Sequence, residues 1–422
     1  MSSNKKISII GLGYVGLPLA YLAAYKGYNV IGVDIDLKKV NNLNEKKYVP
    51  KQLVDTNKKI NVIGTDDYDL IKDCDTVIIC VPTPTNYNKK PDLSILENVI
   101  YNMSFKIKKG ALVIVESTIG PGMTKEYVIE RFRKYNNLIL DVDYKLAYCP
   151  ERIDPGNEKL WVGNINRVCG ATNKKTLEEV LKFYKSIVEA EILPLNSIEE
   201  AEIVKTWENS FRNISIGVSN LLAKICDEFN FSVNDIINGL NSKVNQFGMK
   251  YLNPGLGPGG HCIPEDIHYL IEAIEKNSNI DMNIFKDAAK INESMVSYAA
   301  KKLSDNINNI ESKKILMLGL SYKPNSDDTR CSKALELYKL LKNKKYDIVS
   351  YDYILENRVN SFADDIKKLL NAADIVVLAC PHDKYLNIDY NKFNNIKYIF
   401  DCWNRLDKQK IKSSIKYFGI GE

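Results

Sequence analysis

One cysteine and one histidine follow a run of glycines in the segment YLNPGLGPGGHCIPED, which ends at Asp266. Glycines allow close approach of the backbone, and a thiol beside a histidine and backbone amides can be held as a thiolate. Cys262 is therefore a candidate nucleophile for a carbonyl carbon, with an inert buried thiol as the alternative. The other cysteines stand singly, without a Cys-x-x-Cys pair, which predicts reduced thiols in a cytoplasmic protein.

A second set of polar residues recurs at helical spacing in AEIVKTWENSFRN. Lys205, Asn209 and Arg212 follow one another at intervals of about one turn, so they are predicted to project from one helix face. A solvated polar stripe is the alternative. Glu151 follows an apolar run in YCPERIDPG, where its carboxylate could activate a water molecule.

The N-terminal segment carries the pattern of a dinucleotide site. Gly11, Gly13 and Gly16 lie between the strand-like KISII and a helix-like run, and Asp34 ends the next strand-like run. Such glycines allow the turn and the approach of a pyrophosphate, while the acid binds the ribose hydroxyls. An aspartate there repels a 2′-phosphate, so NAD is favoured over NADP. A glycine turn without a ligand is the alternative.

These residues need three segments to position them. Residues 1–196 alternate strand and helix patterns and predict an NAD-binding Rossmann domain. Residues 301–422 show the same alternation and predict a second, C-terminal Rossmann-like domain. Residues 197–300 predict a central helical domain, whose long first helix begins at a Ser-x-x-Glu capping box. The expected fold is α/β, with two Rossmann-like doubly wound domains joined by a long central helix. That helix is either an interdomain spine or the interface of a homodimer.

Composition excludes several classes of protein. The net charge of +5 is spread along the chain and predicts no nucleic-acid partner, although it suits an anionic small substrate. No apolar run is long enough for a membrane span, and the N-terminus lacks a signal-peptide pattern. Three histidines without finger-type spacing to cysteine predict no metal site.

Collinear motifs over nearly the whole chain carry a resemblance. They are GLGYVGLPLA, VPTPT, ESTIGPGMT, YCPERIDPG, the Lys-x-x-x-Asn-x-x-Arg of the central helix, GPGGHCIPED and LGLSYKPNSDDTR. In this order they resemble the UDP-glucose/GDP-mannose dehydrogenase family. The glycine loop and the PERxxPG motif are most similar to the branch that oxidises UDP-N-acetylhexosamines. Departures such as Ile267 after Asp266 leave the choice between mannosamine and glucosamine open.

The resemblance implies a chemistry. The family oxidises the C6 alcohol of a UDP-sugar to a carboxylate with two NAD molecules, for cell-surface polysaccharide or glycan synthesis. Cys262 would capture the aldehyde as a thiohemiacetal, which is then oxidised to a thioester. Lys205 and Asn209 would stabilise the oxyanions, and Asp266 would join Lys205 in proton transfer. Glu151, with Thr118 positioning the water, would hydrolyse the thioester; whether Glu151 or Asp266 is the principal base stays open.

The resemblance also implies the binding residues. Those expected to contact NAD are Gly11, Gly13, Tyr14, Val15, Gly16, Asp34, Lys39, Pro82, Thr83, Ser117, Thr118 and Arg330. Those expected to contact the UDP-sugar are Arg152, Lys205, Asn209, Arg212, Tyr251, Gly259 and Lys323, the last at the diphosphate.

Three other functions compete with this hypothesis. The chain could be a UDP-glucose 6-dehydrogenase that makes UDP-glucuronate. It could be a catalytically silent nucleotide-sugar binding protein, although such a protein has no need of Cys262, Lys205, Asn209, Asp266 and Glu151 together. A β-hydroxyacid dehydrogenase shares the N-terminal pattern and the helical lysine and asparagine, but it needs neither a cysteine loop nor a second α/β domain.

Overall fold

A computed structural model describes residues 5–53, 60–153, 160–244, 248, 250–307, 314–357 and 361–422. The last three residues of the YCPERIDPG motif and part of the approach to the glycine loop lie outside them. The chain divides into two compact units. The first unit holds Met1–Glu208 and His268–Asp281, and the second holds Asn209–Ile267 and Met282–Glu422.

The first unit is built on one sheet. Its strands are β1 (Lys6–Ile10), β2 (Asn29–Val33), β3 (Val62–Thr65), β4 (Thr76–Ile79), β5 (Ala111–Val115), β6 (Tyr144–Tyr148), β7 (Arg167–Ala171) and β8 (Ile192–Pro194). They lie in the order β3-β2-β1-β4-β5-β6-β7-β8, and β7 pairs antiparallel with β6. Strands β1 and β4 are apolar on both faces because each face packs against a buried cluster, as in doubly wound sheets.

Helices flank this sheet. They are α1 (Gly16–Tyr25), α2 (Leu37–Asn44), α3 (Ser94–Ser104), α4 (Glu130–Asn136), which a π-helical segment Thr124–Ile129 precedes, and α5 (Lys174–Ile187). Helix α2 begins where the Asp36 side chain accepts a bond from the Lys38 amide, and α5 begins at Asn173 in the same manner.

One long helix, α6 (Ile198–Phe229), begins in the first unit and ends in the second. Its predicted N-terminal signal is present, because the Ser197 hydroxyl accepts a hydrogen bond from the Glu200 amide at 3.1 Å. The Glu200 carboxylate accepts from the Asn196 amide at 2.8 Å, one residue before the position that a capping box uses. The long central helix is thus confirmed.

The second unit contains a smaller parallel sheet. Its strands β9 (Lys314–Leu318), β10 (Asp347–Tyr351), β11 (Ile375–Leu378), β12 (Tyr398–Asp401) and β13 (Lys416–Gly419) lie in the order β10-β9-β11-β12-β13. The helices of this region are α7 (Val233–Asn241), α8 (Cys262–Asn277), which continues into the first unit, α9 (Asn283–Ile307), α10 (Lys333–Asn343), α11 (Phe362–Ala372) and α12 (Asp383–Leu386). Buried clusters again cover both faces of the sheet.

The expected α/β class with two doubly wound sheets is confirmed. The division at residues 196 and 300 stays a prediction, because the two compact units follow other boundaries and α8 runs from one to the other. Among the described residues, no helix has the length and apolar character needed to cross a membrane.

Candidate functional site

The glycine turn of the first unit is closed by Asp34. Gly11 has a left-handed φ of +96°, and a Cβ atom there would lie 2.4 Å from the Cys80 carbonyl oxygen. Asp34 follows β2, and its Oδ2 accepts a hydrogen bond from the Leu12 amide at 2.7 Å. Gly16 has no room for a side chain either, since its Cβ would lie 1.9 Å from the Gly11 carbonyl oxygen. Glycine is therefore required at both ends of the turn.

The same turn fits a dinucleotide. Gly13 differs from its neighbours because nothing lies within 4 Å of the position of its Cβ, so a phosphate can approach the backbone there. Helix α1 follows directly, and its N-cap residue Val15 makes no side-chain capping bond, while Tyr14 is exposed. Lys39 Nζ lies 3.3 Å from Asp34 Oδ2, and contact of the two side chains with a ribose stays a prediction. The turn, the helix N-terminus and the acid thus suit NAD.

Two further segments reach the same edge of the sheet from β4 and β5. The Ser117 hydroxyl donates to the Val81 carbonyl at 2.8 Å and accepts from the Val81 amide at 2.9 Å. The Thr83 hydroxyl donates to the Thr118 carbonyl at 2.5 Å, and Pro82 is exposed. Ser117 therefore joins the two segments through its side chain, while Pro82 lies open at the edge where NAD is expected.

Glu151 belongs to a buried ionic cluster. Arg167 on β7 lies between two carboxylates, with its Nη2 2.9 Å from Glu151 Oε2 and its Nη1 3.2 Å from Glu116 Oε1. The Tyr184 hydroxyl donates to Glu116 as well. Burial raises the pKa of Glu116, although the positive charge of Arg167 opposes this. The backbone amides of residues 152 and 153 donate to the other Glu151 oxygen, so this carboxylate is held rigidly.

Sequence reasoning missed Arg167 as well as Glu202. Both Glu202 oxygens accept hydrogen bonds, from the Gly122 amide at 2.6 Å and from the Thr124 amide at 2.7 Å. Burial raises the pKa of Glu202 to about 7, although the hydrogen bonds from Gly122 and Thr124 act to lower it. Glu202 thereby fixes the segment that follows Thr118 to the central helix. The only sequence signal was an acid at an otherwise apolar helical position.

The expected lysine lies one turn after Glu202. Lys205 is 8% exposed, and no described residue forms an ion pair or hydrogen bond with its ammonium group. A buried ammonium group without a partner among the described residues can form an ion pair with a negatively charged group of a substrate. Arg152, an expected substrate residue, pairs with Glu208, at 2.9 Å between Arg152 Nε and Glu208 Oε2, and its contact with substrate stays a prediction.

In the second unit, Cys262 is the first residue of α8. It is exposed, and the N-terminus of a 16-residue helix favours negative charge. Burial lowers the pKa of the neighbouring His261, and the charge of Arg330 lowers it further. His261 is therefore neutral near pH 7, and the helix N-terminus, not an imidazolium, favours a thiolate.

Asp266 and Asn209 are directly bonded. Asp266 lies one turn after Cys262 on α8 and is 3% exposed, and Asn209 Nδ2 donates to its Oδ2 at 2.5 Å. Lys205, Asn209 and Arg212 all lie on α6, where their spacing keeps them along one helix face, and Arg212 is exposed. Asn213, the residue after Arg212, is buried.

A ladder of buried amides extends this face and was not anticipated from the sequence. Asn213 Nδ2 donates to the Ile263 carbonyl at 3.0 Å, beside the nucleophile. Asn292 on α9 donates to Asn213 and accepts from Asn220, and Asn220 Oδ1 accepts from the Gly255 amide at 2.9 Å. The ladder therefore fixes both ends of the glycine loop to the central helix.

The loop glycines serve close packing. A Cβ atom at Gly255 would meet the Trp403 ring at 2.3 Å, and one at Gly259 would meet Tyr322 Cβ at 2.7 Å. The Tyr251 backbone exchanges two hydrogen bonds with the Asn241 side chain, which anchors the start of the loop. Tyr251 and Gly259 thus border the loop, and their contact with substrate stays a prediction.

The expected diphosphate lysine follows β9. Lys323 is half-buried in the segment after Gly319, at the carboxyl edge of the second sheet. Arg330 pairs through Nε with Asp328 at 2.9 Å, and its carbonyl accepts from the Gly260 amide at 3.1 Å. Burial opposes ionisation of Asp328, but the bonds from Arg330 outweigh it and lower the pKa of that carboxyl. Contact of Arg330 with NAD stays a prediction.

Three family profiles match the chain in order. Residues 5–188 match the NAD binding domain of the UDP-glucose/GDP-mannose dehydrogenase family, residues 199–294 its central domain and residues 316–408 its UDP binding domain. These segments bear the glycine turn, the cysteine loop and Lys323, respectively.

Individual relatives agree with the profiles. A UDP-N-acetyl-D-mannosamine dehydrogenase of Methanococcus maripaludis is 33% identical over 438 residues, which cover 99% of this chain and 97% of the relative. The solved UDP-D-ManNAc dehydrogenase of Pyrococcus horikoshii is 31% identical, with a TM-score of 0.87 and 99% of both chains covered. A UDP-N-acetyl-mannosamine dehydrogenase structure from Staphylococcus aureus is 27% identical, with a TM-score of 0.82 over 99% of this chain and 98% of that one. The chain therefore belongs to the UDP-glucose/GDP-mannose dehydrogenase family and carries its NAD-binding, central and UDP-binding domains.

Proposed function

We propose that this enzyme oxidises the C6 alcohol of a UDP-N-acetylhexosamine to the carboxylate, with UDP-N-acetylmannosamine as the first candidate. The observation that carries the proposal is the placement of Cys262 at the exposed start of α8, one turn before the buried Asp266–Asn209 pair. A nucleophile next to a fixed acid and amide suits covalent capture of an aldehyde. A simple alcohol dehydrogenase has no use for such a thiol.

The turn at Gly13 and Asp34 would hold NAD, which would supply the hydride acceptor for each of the two oxidations. After the first, the Cys262 sulfur bonds to the aldehyde carbon, and the carbonyl oxygen takes a proton to give a thiohemiacetal. Loss of the second hydride and of the hydroxyl proton leaves a thioester. Water then adds to its carbon, the carbon–sulfur bond breaks, and the carboxylate leaves while the thiol is regenerated.

Four other side chains would do the remaining chemical work. Lys205 and Asn209 would donate to the oxygen on C6 when it carries negative charge. Asp266, which Asn209 holds, would exchange protons with that oxygen or with water. Glu151 is the second candidate base, and its bonds to Arg167 and to two amides fix the position of its carboxylate.

The nucleotide end of the substrate would bind the second unit. Lys323 lies at the carboxyl edge of the second sheet, after β9, and in parallel sheets ligands bind at this edge. Its ammonium group suits a diphosphate. Tyr251 and Gly259, at the border of the glycine loop, and Arg152 and Arg212 are the further candidates for contact with the UDP-sugar.

The sugar is proposed from the relatives, which are named for UDP-N-acetyl-D-mannosamine. UDP-N-acetylglucosamine and UDP-glucose are the alternatives. A panel of purified UDP-sugars, with NADH formation and acid product measured, decides between them. We expect two NADH for each UDP-N-acetylmannosamine consumed and slower turnover of the others. One NADH with release of aldehyde would contradict the double oxidation, and no turnover with every sugar would favour a silent binding protein.

We further propose a homodimer through the central helix. Exposed apolar side chains follow one another along one face of α6; they are Ile203, Trp207, Phe211, Val218, Leu221, Ile225 and Phe229. Such a contiguous apolar stripe marks an interaction surface, and a second copy of this chain would cover it with an equal apolar stripe. Sedimentation should give a dimer for the wild-type protein and a monomer for Phe211→Glu, with the exposed Asn230→Asp as the control. A monomeric wild-type protein would refute this interface.

A cytoplasmic location and a role in cell-surface polysaccharide or glycan synthesis are part of the proposal. NAD is a cytoplasmic cofactor, and the nine cysteines are free thiols. A uronic acid linked to UDP is the activated form that a glycosyl transfer requires.

A further inference from the structure

The second sheet repeats the glycine turn of the first. Gly319 after β9 has a φ of +83°, its amide donates to the Tyr351 carbonyl, and a Cβ there would lie 2.4 Å from the Cys380 carbonyl oxygen. Asp352 after β10 accepts from the Leu320 amide at 2.8 Å. These bonds correspond one by one to those of Gly11, Leu12 and Asp34. The second turn is therefore built like a dinucleotide turn.

The acid of the second turn has different partners. Asp352 Oδ2 accepts hydrogen bonds from the Ser321 hydroxyl at 3.1 Å and from His382 Nε2 at 3.0 Å. Its Oδ1 accepts from the backbone amides of Ile354 at 3.1 Å and of Leu355 at 3.2 Å. Because its acceptor sites are filled from inside the protein and the residue is 1% exposed, Asp352 cannot bind a ribose.

His382 joins this acid to the segment that carries Lys323. The Asn325 amide donates to His382 Nδ1 at 2.8 Å, so Nδ1 carries no proton and Nε2 donates to Asp352. Asp352 thus binds the start of the segment, at Leu320 and Ser321, and His382 binds its end, at Asn325. Lys323 lies between the two fixed points, and His382 follows β11, the neighbour of β9.

We propose that the His382–Asp352 pair positions Lys323 for the diphosphate of the substrate. This inference rests on the proposed function, because it assumes that Lys323 binds the diphosphate. His382 is fully buried and so is a positioning residue that acts through the lysine. The gap between β9 and β11 is where the strand order of this sheet reverses, which is the expected ligand position of such a sheet.

The test measures UDP binding to the full-length protein by calorimetry. His382→Gln keeps a donor that can reach Asp352 but loses the acceptor for the Asn325 amide. We expect UDP to bind about tenfold more weakly and the KM for the UDP-sugar to rise by a similar factor, with kcat little changed, because the segment that carries Lys323 loses its fixed point at the Asn325 amide. Asn387→Ala, an exposed change beside α12, should leave both unchanged. NAD affinity and the melting temperature report whether each variant is folded.

A double-mutant cycle separates positioning from a general structural role. If His382 acts through Lys323, His382→Gln should have no effect on UDP affinity in a Lys323→Met background. An equal loss in both backgrounds, or wild-type UDP affinity of the folded His382→Gln variant, would overturn the inference. Absence of UDP binding and of turnover in the wild-type protein would instead refute the proposed function itself.

Discussion

Replacing Arg167 with methionine removes the cation that two buried carboxylates share. Arg167 lies 3.2 Å from Glu116 and 2.9 Å from Glu151, and the side chains of Arg167 and Glu116 are fully buried. Each attraction at these distances is about 5–6 kcal/mol for an effective dielectric constant of about 20, and desolvation offsets most of it. Since both carboxylates remain, we expect Arg167→Met to lower the free energy of unfolding by about 3–5 kcal/mol.

The loss should depend on pH. Burial already raises the pKa of Glu116, and removing Arg167, whose charge opposes this, raises it further. An acid whose pKa is higher in the folded than in the unfolded protein stabilises the fold below the unfolded pKa. This contribution is lost as the pH rises through the folded pKa. The variant should therefore be closest to the wild-type stability at about pH 5 and furthest from it at about pH 8.

Urea unfolding at both pH values, followed by circular dichroism, measures this difference. Arg167→Lys is the matched control, because it keeps the charge and should lose less stability. Adding Glu116→Gln to Arg167→Met removes one uncompensated charge and should restore part of the loss. A loss below about 1 kcal/mol at high pH, with the pH dependence of the wild-type protein, would refute a shared buried cation.

Three further outcomes are expected. Cys262→Ser should lose formation of the acid by several orders of magnitude while NAD affinity stays unchanged; retained acid formation would contradict the covalent route. In the wild-type protein, the free energy of unfolding should fall by about 3 kcal/mol between about pH 4.5 and 7, because the pKa of Glu202 is raised to about 7. Glu202→Gln should abolish this fall, and parallel pH profiles of the two proteins would count against it. Asp34→Ser should weaken NAD binding about tenfold in a fluorescence titration and reduce the discrimination against NADP, and an unchanged preference would argue against the ribose contact.

The strands that pattern alone predicted are those buried on both faces. Strands β1 and β2 are buried along nearly their whole length and were anticipated, from KISII and from the run that ends at Asp34. Strand β7 was missed although it is fully buried, because its sequence RVCGA contains Arg167 and a glycine. Only the contact with the two carboxylates makes a buried arginine acceptable in a strand. The short edge strands β3 and β13 carry too few apolar residues to be recognised.

The candidate site divides in the same way. Cys262, Asp34 and Lys205 could be found because their residue type or motif spacing carries the chemistry. Residue type and motif spacing could not identify Glu202, because its role depends on the Gly122 and Thr124 amides, which are distant in sequence. The Asn213–Asn292 bond likewise joins two helices whose alignment no local pattern reveals. Motifs thus identify the reacting groups, while tertiary contacts identify the groups that hold them.

One backbone turn serves two purposes in this chain. Both glycine turns place an aspartate where it accepts an amide, at Leu12 in the first sheet and at Leu320 in the second. Asp34 Oδ1 accepts from the Asp36 amide, and its Oδ2 pairs with the half-exposed Lys39, an ion pair that can open to admit the hydroxyls of a ribose. Asp352 has a buried histidine in the equivalent role, and its carboxylate is closed to any ligand. Under the proposed function, the choice of partner would convert a cofactor-binding acid into an internal anchor, and the ligand site of the second sheet would lie in the neighbouring segment around Lys323.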